Sequence, residues 1–190
     1  MALREQKRVA AWRSIHEAAI RLFEQQGYQA TTIDQIAAAA GVSRATFFNY
    51  FASKEAVVFD QDPEARQQWL HSMKQRPTDE PLWDALTAVL LEFAASLRQR
   101  MPLQRRLKAL SPALAQSTQD FGDRFAADLR DWVRERDVAS PERDEPSSAL
   151  QLNLALAALS TAYQVGNPEE VFDDFFDRVR RYLRQADPRR

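Results

Sequence analysis

The chain has 190 residues, of which 45% are hydrophobic and none is cysteine, and a formal net charge of −1. That length buries roughly 70% of the unfolded surface, so a real hydrophobic core is available, while the lack of cysteine excludes disulfide frameworks, thiolate metal sites and cysteine nucleophiles and suits a reducing cytoplasm. A net charge near zero gives no general attraction to nucleic acid, although residues 1–57 hold seven basic against five acidic side chains, a mild cationic excess on an acidic body.

The charged N-terminus runs straight into an amphipathic pattern without the apolar core of an export signal. Apolar residues then recur at three- and four-residue spacing, with only four glycines and no alternating β-branched runs, which predicts an all-α chain. In the first predicted helix, about Lys7 to Gln26, Trp12, Ile15, Ala19, Leu22 and Phe23 form one stripe, and Gly27 followed by Tyr28 gives a left-handed stop. Thr32-Ile33-Asp34-Gln35 has the form of a capping box for a short second helix that carries Ile36, Ala37 and Ala40 inward and ends at Gly41. Ser43 can cap a third helix through Phe51, and Ser53 a fourth that opens with Lys54.

Pro63, the segment RPTDEP at 76–81, Pro102, Pro112 and Pro141 divide the remainder into further helices, about nine in all. Leu82, Trp83, Leu86, Val89, Leu90, Phe93 and Leu97 form one long stripe; Phe121, Phe125, Leu129 and Trp132 form another. Asp137 to Ser148 is expected to be the longest loop. Leu150 to Tyr163 reads as an apolar helix. The stretch from 149 to 165 is interrupted by Gln151, Asn153, Ser160, Thr161 and Gln164, which suits a buried helix and no membrane span. Asn167-Pro168-Glu169-Glu170 is read as N-cap, N1 proline and N3 acid of the last helix.

The informative stretch is 33–52, IDQIAAAAGVSRATFFNYFA. It fits a helix-turn-helix wherever packing restricts the choice: Ala37 is small where the helices cross, and Gly41 supplies the positive φ of the turn. Ile36, Ala40, Val42, Phe47 and Tyr50 fall on the shared inner face. By elimination Ser43, Arg44, Ala45, Thr46, Phe48 and Asn49 point outward, where the first residues of a recognition helix reach base edges in a major groove. An Ala-rich helix, a glycine and another helix also make an ordinary hairpin. Two features favour DNA: an exposed Phe48 suits thymine methyls, and Lys54 at a helix N-terminus opposes the macrodipole unless an anion is there.

The run that starts at Ala30, ATTIDQIAAAAGVSRATFFNYFASKE, resembles the N-terminal DNA-binding region of the tetracycline-repressor (TetR) family, and covers about a quarter of the chain. Phe48 stands where that family usually has tyrosine. The resemblance implies a three-helix helix-turn-helix domain over 1–53 and a larger helical ligand-binding and dimerisation domain over 54–190. It implies base contacts from Arg44, Ala45, Thr46, Phe48 and Asn49, and phosphate contacts from Thr32, Ser43, Tyr50 and Lys54; Tyr50 also fits a core position. The pieces TFFNYFASKEAVVFD and RPTDEP are similar to a subgroup associated with acyl-CoA-like effectors, the mycofactocin-regulator type; RPTDEP is equally a reasonable turn.

The expected activity is therefore a soluble, cytoplasmic repressor released from a palindromic operator by a small apolar or acyl-CoA-like effector. The alternative is a dimeric DNA-binding regulator without an effector. Trp69, Trp83, Leu86, Leu90, Phe93, Phe121 and Phe125 are the candidate ligand pocket, or else core. A homodimer is expected through the last two helices, using Leu152, Leu156 and Leu159 with Phe172, Phe175, Phe176, Val179 and Leu183. Catalysis, a metal and a cofactor are not expected: His16 and His71, the only histidines, are read as surface residues without a nearby ligand partner, and Asp60, Asp62, Asp79 and Glu80 as solvated ends and loops.

Overall fold

Helix α1 (Leu3–Gln26) buries Trp12, Ile15, Ala19 and Phe23 of the predicted stripe together with Val9 and Ala18, leaves Leu22 half-buried, and starts four residues before the predicted Lys7. A computed structural model describes residues 3–60, 62–98, 100–110, 119–139 and 145–189. Among these residues there are ten helices and two compact units, 3–65 and 66–189. The first unit continues with α2 (Ile33–Ala39), α3 (Arg44–Tyr50) and α4 (Lys54–Phe59).

Each short helix of this unit is started by a hydroxyl. Thr32 and Gln35 form the reciprocal capping box, Ser43 Oγ accepts from the Thr46 N–H at 3.0 Å, and Ser53 Oγ accepts from the Ala56 N–H at 3.2 Å. Each such cap contributes about 1 kcal/mol, which matters because helices of six or seven residues do not hold alone. Ile15, Ile36, Phe47 and Phe51 are fully buried, and Trp12 and Phe47 both pack against Phe51. His16 corrects the surface reading: it is buried and stacked on Trp12 at 5.0 Å, because i and i+4 share a helix face. α4 packs on α1 and buries Val57, Val58 and Phe59, so it lies in the first unit and not with the residues that follow. Arg13 of α1 holds the next turn through Asp62 (2.6 Å) and Glu64 (2.7 Å).

The second unit contains α5 (Ala65–Gln75, entered at Arg66), α6 (Leu82–Ser96), α7 (Met101–Leu110), α8 (Gln119–Ala139), α9 (Glu145–Gln164) and α10 (Phe172–Gln185). α6, α9 and α10 pack pairwise on one another, and α8 packs on α9. Segment 76–81 is a turn: Arg76 pairs with Glu80, and Arg136 Nη2 donates to the carbonyls of Pro77 (2.9 Å) and Glu80 (3.0 Å).

Three expectations change here. The long loop is shorter than 137–148, because α8 runs to Ala139 and α9 begins at Glu145, with Pro146 in its first turn where a missing N–H costs nothing; Ser148 Oγ donates to Asp137 at 2.9 Å between the two helices. Asn167 does not cap the last helix. Its side chain accepts from the Glu169 N–H, Val171 occupies the N-cap without a side-chain bond, and Glu170 turns inward to Arg105 of α7 (2.6 Å) and Arg178 of α10 (2.6 Å). Finally, Leu152, Phe172, Phe175, Val179 and Leu183 are buried within one chain because α10 is covered by α6 and α9; of the expected dimer face only Leu156, Leu159 and Phe176 keep partial exposure.

Candidate nucleic-acid interface

The geometry of the α2–α3 corner follows from two small residues. Gly41 has φ +68°, and the Val42 N–H returns to the Ala37 carbonyl at 2.9 Å, while Ala37 itself is buried at the crossing. A larger side chain at either place would strain the turn or separate the helices. Ile36 and Phe47 anchor the inner face, with Ala40, Val42 and Tyr50 half-buried beside them. α3 is thereby rotated so that Ser43, Arg44, Ala45, Phe48 and Asn49 are exposed and Thr46 is half-buried, its hydroxyl 2.8 Å from that of Ser43.

Phe48 is 45% exposed and meets the buried Phe47 ring edge-on. The Arg44 guanidinium lies 5.5 Å from the Phe48 ring centre and donates through Nη1 to Asp34 of α2 at 2.7 Å. Asp34 was not among the sequence-derived candidates; ten residues separate the pair, and only the helix crossing brings them together. Thr32 is exposed at the start of α2 and Ser43 at the start of α3.

Lys54 corrects the argument that its charge requires an anion. Nζ donates to the carbonyls of Tyr28 (2.8 Å) and Thr31 (3.0 Å) and lies 4.1 Å over the Tyr28 ring. The turn after α1 supplies the negative end that the start of α4 lacks. Tyr28 in turn donates its hydroxyl to Glu55. Burial and that neighbouring carboxylate push the phenol above its usual range; for Glu55 burial works upward, but the Tyr28 hydroxyl and the Lys54 charge outweigh it and hold the carboxyl low.

In the second unit the candidate pocket residues Trp69, Trp83, Leu86, Leu90, Phe93 and Phe125 are all buried. Phe93 and Phe125 stack at 3.8 Å, and Trp69 meets both edge-on. The Phe121 side chain lies outside the described residues. Asp128, also missed from the sequence, is buried in this group, accepting from Trp69 Nε1 (3.0 Å) and from Arg66 (2.7 and 2.9 Å). Among the described residues no helix is long and apolar enough to cross a membrane.

Residues 15–60 match the family described as bacterial regulatory proteins, tetR family. Over 80 residues, 42% of the chain, the sequence is 35% identical to the HTH-type transcriptional regulator TcmR of Streptomyces glaucescens. Over 79 residues, again 42% of the chain, it is 37% identical to MftR of Mycobacterium tuberculosis, described as a mycofactocin biosynthesis transcriptional regulator. These matches span 35% and 40% of the relatives' own lengths. The fold is shared more widely. The crystal structure of Thermus thermophilus FadR, a TetR-family transcriptional repressor in complex with lauroyl-CoA, superposes with a TM-score of 0.54 over 92% of each chain at 24% identity.

Proposed function

From a chain that carries the N-terminal domain of the TetR family of bacterial regulatory proteins, we propose a sequence-specific DNA-binding transcriptional regulator that acts as a homodimer on a near-palindromic operator. The observation that carries this reading is the rotation of α3, which buries Phe47 while exposing Arg44, Ala45, Phe48 and Asn49 along one side. In a major groove Arg44 would read guanine, Phe48 a thymine methyl and Asn49 a neighbouring edge, with Ala45 and Thr46 in close contact. Thr32, Ser43 and Tyr50 would hold phosphates. Lys54 is assigned instead to holding α4 against the turn before α2. Selection from random duplex DNA with the full chain tests this: a two-fold-symmetric motif is expected, and Arg44→Ala should cost about 1–3 kcal/mol and relax one position per half-site. Recovery of no motif would end the reading.

The finer reading is a repressor released by a small apolar or acyl-CoA-like effector bound in the second unit. It is supported by the lauroyl-CoA complex of the T. thermophilus neighbour and by the aromatic group around Trp69. By linkage, operator DNA must weaken effector binding by the factor with which effector weakens DNA binding, about 5- to 150-fold. Titration of lauroyl-CoA with and without operator tests it; equal affinity in both cases overturns it. The close stacking of Phe93 on Phe125 favours the second reading, a regulator whose aromatic residues are core and which takes no effector.

A further inference from the structure

Asp34 is a puzzling residue for a DNA-facing surface. It is exposed beside the first residue of α3, where its charge opposes every approaching phosphate. It is not needed as a cap either, since Thr32 and Gln35 already complete the capping box of α2. Its ion pair with Arg44 is exposed on both sides, and such pairs contribute little stability.

The pair does constrain one thing, the direction of the Arg44 side chain. Asp34 takes a single nitrogen, Nη1, at 2.7 Å, and the Phe48 ring, one helical turn further along α3, borders the guanidinium at 5.5 Å. That leaves the Nε–Nη2 edge, whose two parallel N–H donors match the O6 and N7 acceptors of guanine. Holding a long side chain before binding reduces the rotamer entropy lost on contact. The carboxylate also weakens every complex in which Arg44 finds no acceptor, because its repulsion of DNA is then uncompensated.

We infer that Asp34 is a specificity-determining residue of the reader, orienting the Arg44 guanidinium for guanine and penalising DNA that lacks it. This rests on the DNA-binding reading above. Its signature differs from that of a structural acid. Asp34→Ala removes both the orientation and the charge, so preference for guanine at one position per half-site falls about three- to tenfold, a part of the discrimination of one bidentate contact, while affinity for unrelated DNA rises. Asp34→Asn keeps an acceptor oxygen and loses the charge, so affinity for unrelated DNA still rises and the base preference falls less than in Asp34→Ala.

The experiment is selection from random duplex DNA, followed by affinities for single-base variants at one salt concentration. It uses the full chain as wild type, Asp34→Ala, Asp34→Asn, Arg44→Ala and the double variant Asp34→Ala/Arg44→Ala, with melting temperatures recorded alongside. In the Arg44→Ala background, Asp34→Ala should change base preference no further. A wild-type motif that Asp34→Ala leaves unchanged sinks this inference alone, as does the same shift in both backgrounds. A wild type that selects no motif sinks the DNA-binding reading and the inference with it.

Discussion

The guanidinium of Arg105 occupies the space that a Cβ on Gly166 would take, and the Glu170 carboxylate crowds the same position. Both groups are fixed: Arg105 donates to the Tyr163 carbonyl (2.8 Å), the Asn167 carbonyl (3.2 Å) and Glu170. Gly166→Ala should therefore destabilise the protein by about 1–3 kcal/mol, as overpacking does. Gly122, exposed within α8 with nothing within 4 Å of where a Cβ would sit, should respond the opposite way, Gly122→Ala gaining about 0.5–1 kcal/mol of helix propensity. Urea unfolding of the two variants checks the pair, and equal effects would contradict it.

Removing the acid of this network should cost much more than removing an exposed one. Glu170 is shared by Arg105 and Arg178, with side-chain exposures of only 6, 6 and 11%. Glu170→Gln leaves two guanidiniums without their counter-charge and should cost about 3–5 kcal/mol. Asp84→Asn breaks a pair with Arg189 that is about half exposed on both sides, and should cost less than about 1 kcal/mol. Chemical denaturation at neutral pH distinguishes them.

Acid should unfold the protein through the same carboxylates. Burial disfavours ionised Glu170, but hydrogen bonding by Arg178 and the charges of Arg105 and Arg178 outweigh it and hold the carboxyl below its usual range; Asp128 is held low by the Arg66 guanidinium against its own burial. A group lowered in the folded state contributes its stability above the unfolded pKa and loses it as pH falls through the folded one. Stability should thus be level near neutrality and decline from about pH 4 downward. Asp60, raised by burial, has the opposite sign and softens the slope. Melting temperature against pH measures this, and Asp128→Asn should flatten the acid limb; a limb of unchanged steepness would contradict the assignment.

Lys54→Met should lower the stability of the first unit by about 1–3 kcal/mol, because it leaves the Tyr28 and Thr31 carbonyls without their charged donor. The salt dependence of DNA binding should change little. If instead the melting temperature holds and the slope falls by about one unit per half-site, Lys54 is a phosphate contact after all.

Leu159 of α9 is half-buried in one chain whereas Val179 of α10 is fully buried. With a homodimer formed along α9 and α10, Leu159→Asp should yield folded monomers at micromolar concentration by light scattering. Val179→Asp should unfold the second unit, since an unpaired charge would enter its core. A Leu159→Asp dimer of unchanged stability would place the interface elsewhere.

What could be read from the sequence is what depends on near neighbours. The Thr32–Gln35 box, the hydroxyl caps at Ser43 and Ser53, the positive φ of Gly27 and Gly41 and the stripe of α1 all involve residues within about one turn of each other, so the residue types imply the geometry directly. The exposed side of α3 followed because burying Phe47 leaves no other rotation. Charges were not legible in this way. A charged group finds its partner across tens of residues, as Arg66 does Asp128, Arg105 does Glu170 and the Lys54 ammonium the Tyr28 carbonyl. The local pattern of Asn167 to Glu170 suggested a helix start, but Glu170 pairs instead with Arg105, 65 residues away, and with Arg178 of the last helix. The apolar face of α10 was visible as a face, but periodicity records only that a side is apolar, not whether it meets its own chain or a second copy. α6 and α9, packed on that side within one chain, decided it.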